Sequence, residues 1–250
     1  MNNAFLHGDL HEEVYMKLPQ GLAVDDLSLV CKLNKSLYGL KQASRQWYAK
    51  LTEALSLRGY VHSHHDYSLF HRKVGALVVF VAVYVDDVIL TGTDTAEITQ
   101  LKAYLDDTFK IKDLGRLHYF LGMEILDIPG GVLVSQRKFV LDLLKEYNCY
   151  DQSSLTSPLD PNIKLRAKEG TSLPDPTYYR KLVGKLNFLT NTRLDIAFSV
   201  QHLSQFMQDP RTSHLQAAFH LLRYLKQDPT LGLHLSKDSD CSIRAYCDSD

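Results

Sequence analysis

Cysteine is scarce in this chain. Cys31, Cys149, Cys241 and Cys247 are the only four in 250 residues, and no two form a CxxC pair. That spacing excludes a disulfide-stapled scaffold and a cysteine-rich zinc fold. With no secretory leader pattern at the start, the four are expected to be reduced thiols of an intracellular protein. Long apolar runs are missing as well. The densest one stops at Asp86 after about ten residues, too short to span a bilayer, so no membrane role is expected. Nor does charge of one sign dominate: 28 Lys and Arg stand against 29 Asp and Glu, a formal net charge of −1. That balance argues against a surface uniformly basic enough to coat a nucleic acid. Its distribution is uneven, however. Between residues 31 and 75, Lys32, Lys35, Lys41, Arg45, Lys50, Arg58, Arg72 and Lys73 face only Glu53 and Asp66. This basic excess suits either one wall of a cleft or an ordinary solvated helix face. Hydrophobic residues make up 45% of the chain, enough for a sizeable core, in one unit or two.

Among what is present, residues 74 to 92 say most about chemistry. They read VGALVVFVAVYVDDVILTG, a β-branched and aromatic run that favours strand over helix and is dense enough to predict a strand covered on both faces. Two adjacent carboxylates, Asp86 and Asp87, interrupt it. Burying an unpaired charge costs several kcal/mol and neighbouring like charges repel, so the pair must stand at an exposed turn or be neutralised by cations. Hard oxygen ligands point to Mg²⁺ or Mn²⁺, which phosphoryl-transfer enzymes use in pairs. Adjacent residues of an extended strand point to opposite faces, so only a turn lets both carboxylates converge. The bland alternative is a hairpin whose turn happens to be acidic.

Flanking segments give the pair a family context. Tyr84-Val85-Asp86-Asp87 resembles the Y-x-D-D box of reverse transcriptases, and the other blocks resemble the polymerase of copia-type (Ty1/copia) LTR retrotransposon Pol polyproteins in order and spacing. Asn3-Ala4-Phe5-Leu6-His7-Gly8-Asp9-Leu10 and Glu13 to Gly21 (EVYMKLPQG) match two early blocks. Ser36 to Tyr48 (SLYGLKQASRQWY) matches a third, with Ser44 where proline is usual. Phe109 to Ile125, Thr192 to Phe198 (TRLDIAF, with Leu194 in place of the usual proline) and Leu222 to Lys226 complete the set.

The fold class expected is α+β. Apolar groups at Trp47, Leu51, Ala54 and Leu55 predict a helix over 43 to 58, and Ile98, Leu101, Leu105 and Phe109 predict another over 95 to 109. Strand, turn and strand lie between them over 76 to 91. Residues 12 to 35 read as a hairpin, and 119 to 134 as a second one turning at Pro129-Gly130-Gly131. Helical stripes follow over 135 to 147, 177 to 191, 194 to 207 and 212 to 227. A polar, proline-bearing stretch separates the first of these from the rest. The resemblance divides this sequence into a palm at 1–134, thumb and linker at 135–176, a helical connection at 177–230 and the start of RNase H at 231–250. Leu231 to Leu235 is expected to form at most an isolated hairpin with Ile243 to Tyr246.

By resemblance, Asp86 and Asp87 are the catalytic, metal-binding pair, Asp86 the stronger ligand. Phe5 stands where a bulky side chain abuts the incoming sugar, Gln42 where a glutamine meets the nucleotide, and Leu121, Gly122 and Met123 in the primer grip. Template-primer of RNA and DNA, dNTPs and two Mg²⁺ or Mn²⁺ ions are the implied partners and cofactors. His62, His64, His65 and His71 lack accompanying cysteines and are read as loop residues. The family's first metal-bridging aspartate would fall just before Met1. Tyr246-Cys247-Asp248-Ser249-Asp250 resembles the opening of RNase H, with Asp248 its first carboxylate. On that reading these residues are an internal piece that does not extend a primer by itself, although its parent does. The alternative is a non-catalytic retroelement remnant or nucleic-acid-binding module. A nuclease reading fails, because one carboxylate of the required set is present.

Overall fold

Every β-ladder is antiparallel among the residues described, and the helices pack on the sheets' faces or on one another, an α+β architecture. The computed structural model describes residues 10, 12–22, 24, 26, 28–85, 87–238, 242 and 245. The chain falls into two units, residues 1–115 and 116–250.

In the first unit, β1 (Tyr15–Lys17) and β2 (Val30–Lys32) form a short hairpin. Then come α1 (Ala43–Leu57), β3 (Val61–His62), β4 (Leu69–Val74), β5 (Leu77–Tyr84), β6 (Asp87–Gly92) and α2 (Thr95–Phe109), the last four strands making one sheet in the order β3-β4-β5-β6. Both helices carry a stripe at spacing four, Trp47, Leu51 and Leu55 on α1 and Leu101, Leu105 and Phe109 on α2. These close over Val79, Val81 and Val83 of β5. Burial of such side chains stabilises by roughly 1.5–3 kcal/mol each, so this single cluster holds the unit. Asp94 starts α2 by accepting the Glu97 backbone N–H at 3.0 Å. One expectation is corrected here: β5 is covered on one face only. Its alternate residues Phe80 and Tyr84 are exposed, because both helices pack on the same side. A second correction concerns His62 and His71, which are strand residues. They lie in β3 and β4, where the His62 ring packs 4.3 Å from that of Phe70.

The second unit contains β7 (Tyr119–Phe120), β8 (Met123–Ile128), β9 (Gly131–Ser135), α3 (Arg137–Glu146), α4 (Pro176–Leu189), a 3-10 turn at Leu194–Ile196, α5 (Ala197–Ser204), α6 (Thr212–Leu225) and β10 (Gly232–Ser236). Leu143 and Leu144 of α3, Leu182 and Leu186 of α4, Val200 and Leu203 of α5 and Leu221 and Leu222 of α6 are among its fully buried residues.

Three features depart from the sequence reading. The strands at 119–135 group with the helices that follow them rather than with the first unit. β10 adds to β9, Gly232 opposite Ser135 and Ser236 opposite Gly131, so 232–236 is not part of an isolated hairpin; its edge is satisfied by an existing sheet, the cheaper outcome for exposed backbone groups. The polar stretch between α3 and α4 is a strap tied to α6 and not a free linker. Arg223 donates to Ser153, His220 contacts the Ser157 carbonyl at 3.0 Å, and His214 contacts the Arg166 carbonyl at 3.1 Å.

Candidate active site

The acidic turn closes a two-residue connection between β5 and β6. Tyr84 pairs with Asp87, leaving Val85 and Asp86 as the linking residues. Asp86 lies outside the described residues. Val85 sits at φ 53°, in the left-handed region that a β-branched residue enters only at a cost of about 1–2 kcal/mol. Something must hold it there. The indole N–H of Trp47 donates to the Val85 carbonyl at 2.9 Å. Trp47 is 2% exposed and its ring stands edge-on to Phe109 at 5.1 Å. The turn is therefore fastened from beneath by a side chain rooted in the core. A buried tryptophan needs a partner for its one polar group, and here that partner is the backbone of the acidic turn. The sequence counts Trp47 into an apolar stripe and gives no hint of this second task.

Asp87 opens β6 with an exposed carboxylate that has no hydrogen-bond or ion-pair partner among the described residues. An unpaired carboxylate at an exposed turn is a chemically suitable donor for a hard cation. No group of three His, Cys, Asp or Glu able to hold a metal occurs among the described residues, so Asp87 without Asp86 does not make a closed ion site.

Gln42 is the residue before α1, and its amide donates to Glu12 at 2.8 Å. As the N-cap of α1 it stands five residues ahead of Trp47 in sequence. Phe5 and Asp248 lie outside the described residues. Leu121 and Gly122 form the two-residue turn between β7 and β8 in the second unit, at φ 51° and 81°, with Met123 paired to Phe120. Left-handed conformations at both positions are what a tight hairpin of this hand needs. Gly122 has a further reason to be glycine, since a Cβ there would come within 3.2 Å of the Phe188 ring on α4.

Basic groups around the first unit are partly committed. Arg72 Nη1 and Arg58 Nη2 lie 2.6 and 3.3 Å from the carboxylate of Glu97, which is 7% exposed, and the Tyr60 hydroxyl donates to it at 3.2 Å. Burial, then the Glu97 charge, pushes the Tyr60 phenol well above its ordinary range, so it stays a neutral donor. Lys32 pairs with Glu13. Lys32, Arg58 and Arg72 of the basic segment are thus engaged by carboxylates among the described residues.

This α+β chain, whose helix-backed antiparallel sheet carries the exposed Asp87 at a hairpin turn, is consistent in architecture with a reverse transcriptase domain. It belongs to the reverse transcriptase (RNA-dependent DNA polymerase) family, whose model matches residues 1–161. Within that family it is a reverse transcriptase domain of the copia-type retrotransposon Pol polyproteins. Over its whole length it is 45% identical to the retrovirus-related Pol polyprotein from transposon RE1 of Arabidopsis thaliana, of which it covers 17%. It is 35% identical to that from transposon TNT 1-94 of Nicotiana tabacum, covering 20%, and 29% identical to the putative transposon Ty5-1 protein of Saccharomyces cerevisiae, covering 82%. The chain thus spans about a sixth of the first of these relatives. No solved structure matches. No helix among the described residues is long and apolar enough to cross a membrane.

Proposed function

We propose that this chain carries the polymerising site of a retrotransposon Pol polyprotein, with Asp86 and Asp87 at the β5–β6 turn as the metal-binding pair for RNA-directed DNA synthesis. The observation that carries this reading is the mounting of the turn. Its one described carboxylate is exposed and unpartnered, while the backbone beside it is bonded to the buried indole of Trp47. A decorative surface turn has no need of such an anchor.

On this reading the first unit supplies the palm. The β7–β8 turn, with Leu121, Gly122 and Met123, is the primer grip, and the helices after it form the thumb and connection. Divalent cations, Mg²⁺ or Mn²⁺ as a pair, supply positive charge to the primer hydroxyl and the triphosphate. The chain's own contribution is placement: the Trp47 bond to Val85 and the Tyr84–Asp87 pairing hold the described part of the turn, with Asp87, at one end of β5 and β6. Phe5 occludes a ribose 2′-hydroxyl, and Gln42 turns its amide from Glu12 to the incoming nucleotide. RNA template, DNA primer and dNTPs are the partners, in an intracellular setting.

Two measurements test the reading. Fe²⁺ with ascorbate and peroxide is expected to cut the backbone around residues 84–88, with excess Mg²⁺ suppressing the cut and Asp86→Asn or Asp87→Asn removing it. In primer extension on an RNA template by a longer Pol polyprotein that contains these residues, Asp86→Asn is expected to lower synthesis by about 100-fold or more, the equivalent of several kcal/mol of lost charge stabilisation. Cleavage centred elsewhere, or synthesis untouched by Asp86→Asn, refutes it.

A further inference from the structure

A cavity of about 740 Å³ lies in the second unit, between the strap at 157–166 and α5 and α6. That is the size of a small-molecule site. Its α6 wall includes Ser213, Gln216 and His220, a run at helical spacing, with Ala217 and Phe219 beside them at the edge of the core.

Phe198, from α5, lines the same cavity. The other marked members of its segment are occupied with architecture. Thr192 donates to Gln136 at 2.8 Å, buried Arg193 holds Asp195 through two bonds and the Asp228 carbonyl through a third, and Ile196 is fully buried. Phe198 does none of this, for it is 75% exposed. One turn on, the His202 ring lies parallel to it within 5°, centroids 6.2 Å apart. The two parallel rings line the cavity wall, and Phe198 is the exposed member of the pair.

Charge at the cavity is positive. Lys164, Arg166 and Arg223 face a single acid, Asp160, whose carboxylate is engaged by Asn162. Arg223 is tied to Ser153. Lys164 has no ion-pair or hydrogen-bond partner among the described residues, and Arg166 approaches Glu169 only at 3.9 Å with its side chain 70% exposed. A purely apolar occupant would cover these cations without compensating them. An exposed aromatic ring beside Lys164, the loosely paired Arg166 and amide and hydroxyl groups suits a flat heterocycle carrying an anion.

We propose that this cavity is a nucleotide-binding site, separate from the acidic turn, that stacks one nucleobase on Phe198 and holds its phosphate with Lys164 and Arg166. It is built from second-unit residues only and does not rest on the polymerase reading. The same chemistry is offered by a free nucleotide and by one residue of a single-stranded nucleic acid.

The test uses the full chain in EDTA, so that metal-dependent binding at the acidic turn is silent. Fluorescence anisotropy is recorded with a labelled single-stranded oligothymidylate and, separately, with a fluorescent deoxyadenosine triphosphate. Phe198→Ala is expected to weaken binding roughly 5- to 150-fold, the range for losing one base–ring stack, and Phe198→Trp to restore it. The double charge reversal Lys164→Glu with Arg166→Glu should flatten the salt dependence. All three side chains are exposed, so far-UV circular dichroism stays unchanged and folding is controlled. A 4-thiothymidine oligonucleotide should photocrosslink to Phe198 or His202. Binding of both probes assigns the pocket to a nucleotide in either source, and binding of the oligonucleotide alone assigns it to a strand. Affinity indifferent to Phe198→Ala and to the charge reversal, crosslinks outside the cavity, or no binding at millimolar probe overturns the proposal.

Discussion

Replacing Glu97 with alanine tests what keeps α2 on the sheet that carries the acidic turn. Its carboxylate receives Arg72 at 2.6 Å, Arg58 at 3.3 Å and the Tyr60 hydroxyl at 3.2 Å. Glu97→Ala leaves two guanidiniums facing one another and a buried phenol without its acceptor. Breaking a buried ion pair from one side costs about 3–5 kcal/mol. The Arg58 and Arg72 side chains are 26% and 32% exposed, and water can reach them in part, so the lower end applies, ~3 kcal/mol. Salt screens such a pair little, because Glu97 itself is almost out of reach. Trp47 is the only tryptophan in the sequence and lies in the first unit's core, so its fluorescence during urea unfolding reports on this unit alone. The midpoint should fall by ~1–2 M urea at a slope typical of a small unit. Arg58→Met, Arg72→Met and Glu97→Leu together should recover most of the loss, since an apolar replacement of a whole buried ion cluster is often neutral. A fall equivalent to under ~0.5 kcal/mol for Glu97→Ala would mean that apolar packing alone seats α2 and that the ion cluster is incidental.

Two further outcomes follow from the geometry. Trp47→Phe should speed hydrogen exchange at residues 83–88 by about 5- to 10-fold, the equivalent of one hydrogen bond, and abolish iron-directed cleavage there; an unchanged exchange profile would show that the turn does not depend on the indole. His214, fully buried, accepts the Arg211 backbone N–H at Nδ1 and contacts the Arg166 carbonyl through Nε2, and burial holds its pKa below the ordinary value. The unfolded chain, titrating near 6.5, therefore takes up a proton before the folded one does. Second-unit stability by circular dichroism should be full above about pH 6.5 and decline as the pH falls below it, a slope that His214→Asn flattens and that disproves the assignment if it persists.

Local pattern carried much of this fold. The apolar spacings on α1 and α2 needed no tertiary information, because a helix face is written at intervals of three and four. The acidic turn was legible for a different reason, as two charges have few tolerable places in a valine-rich strand. What could not be read locally is who pairs with whom. β10 lies about a hundred residues beyond β9, and the best clue is glycine: a Cβ on Gly131 or Gly232 would come within 2.3 or 2.2 Å of a backbone oxygen on the neighbouring strand, the signature of close backbone approach. The strap was hidden because its anchors are side chains of α6 reaching carbonyls dozens of residues away, and such bonds leave no periodicity. Glu97 misleads in another way. Asp94-Thr95-Ala96-Glu97 has the spacing of a capping box, yet only the Asp94 half is used and the Glu97 side chain turns to Arg58 and Arg72.

Trp47 and Glu97 address the same difficulty from opposite ends. On the proposed reading, an acidic turn that must stay exposed to hold cations would gain nothing from its own burial, and its like charges would favour splaying apart. Rigidity has to come through the backbone and through the sheet behind it. The Val85 conformation, unfavourable by itself, persists because the Trp47 indole is immobilised by Phe109 and offers its donor at one place only. Phe109 ends α2, and α2 is seated at its other end by Glu97 on β4's Arg72 and on Arg58 just beyond α1. Loosening Glu97 therefore has a path to the turn through α2, Phe109 and Trp47, with no contact of its own to Asp87. The same Glu97→Ala variant that lowers the urea midpoint should accordingly weaken iron-directed cleavage at 84–88 even at urea concentrations where Trp47 fluorescence still reads as folded.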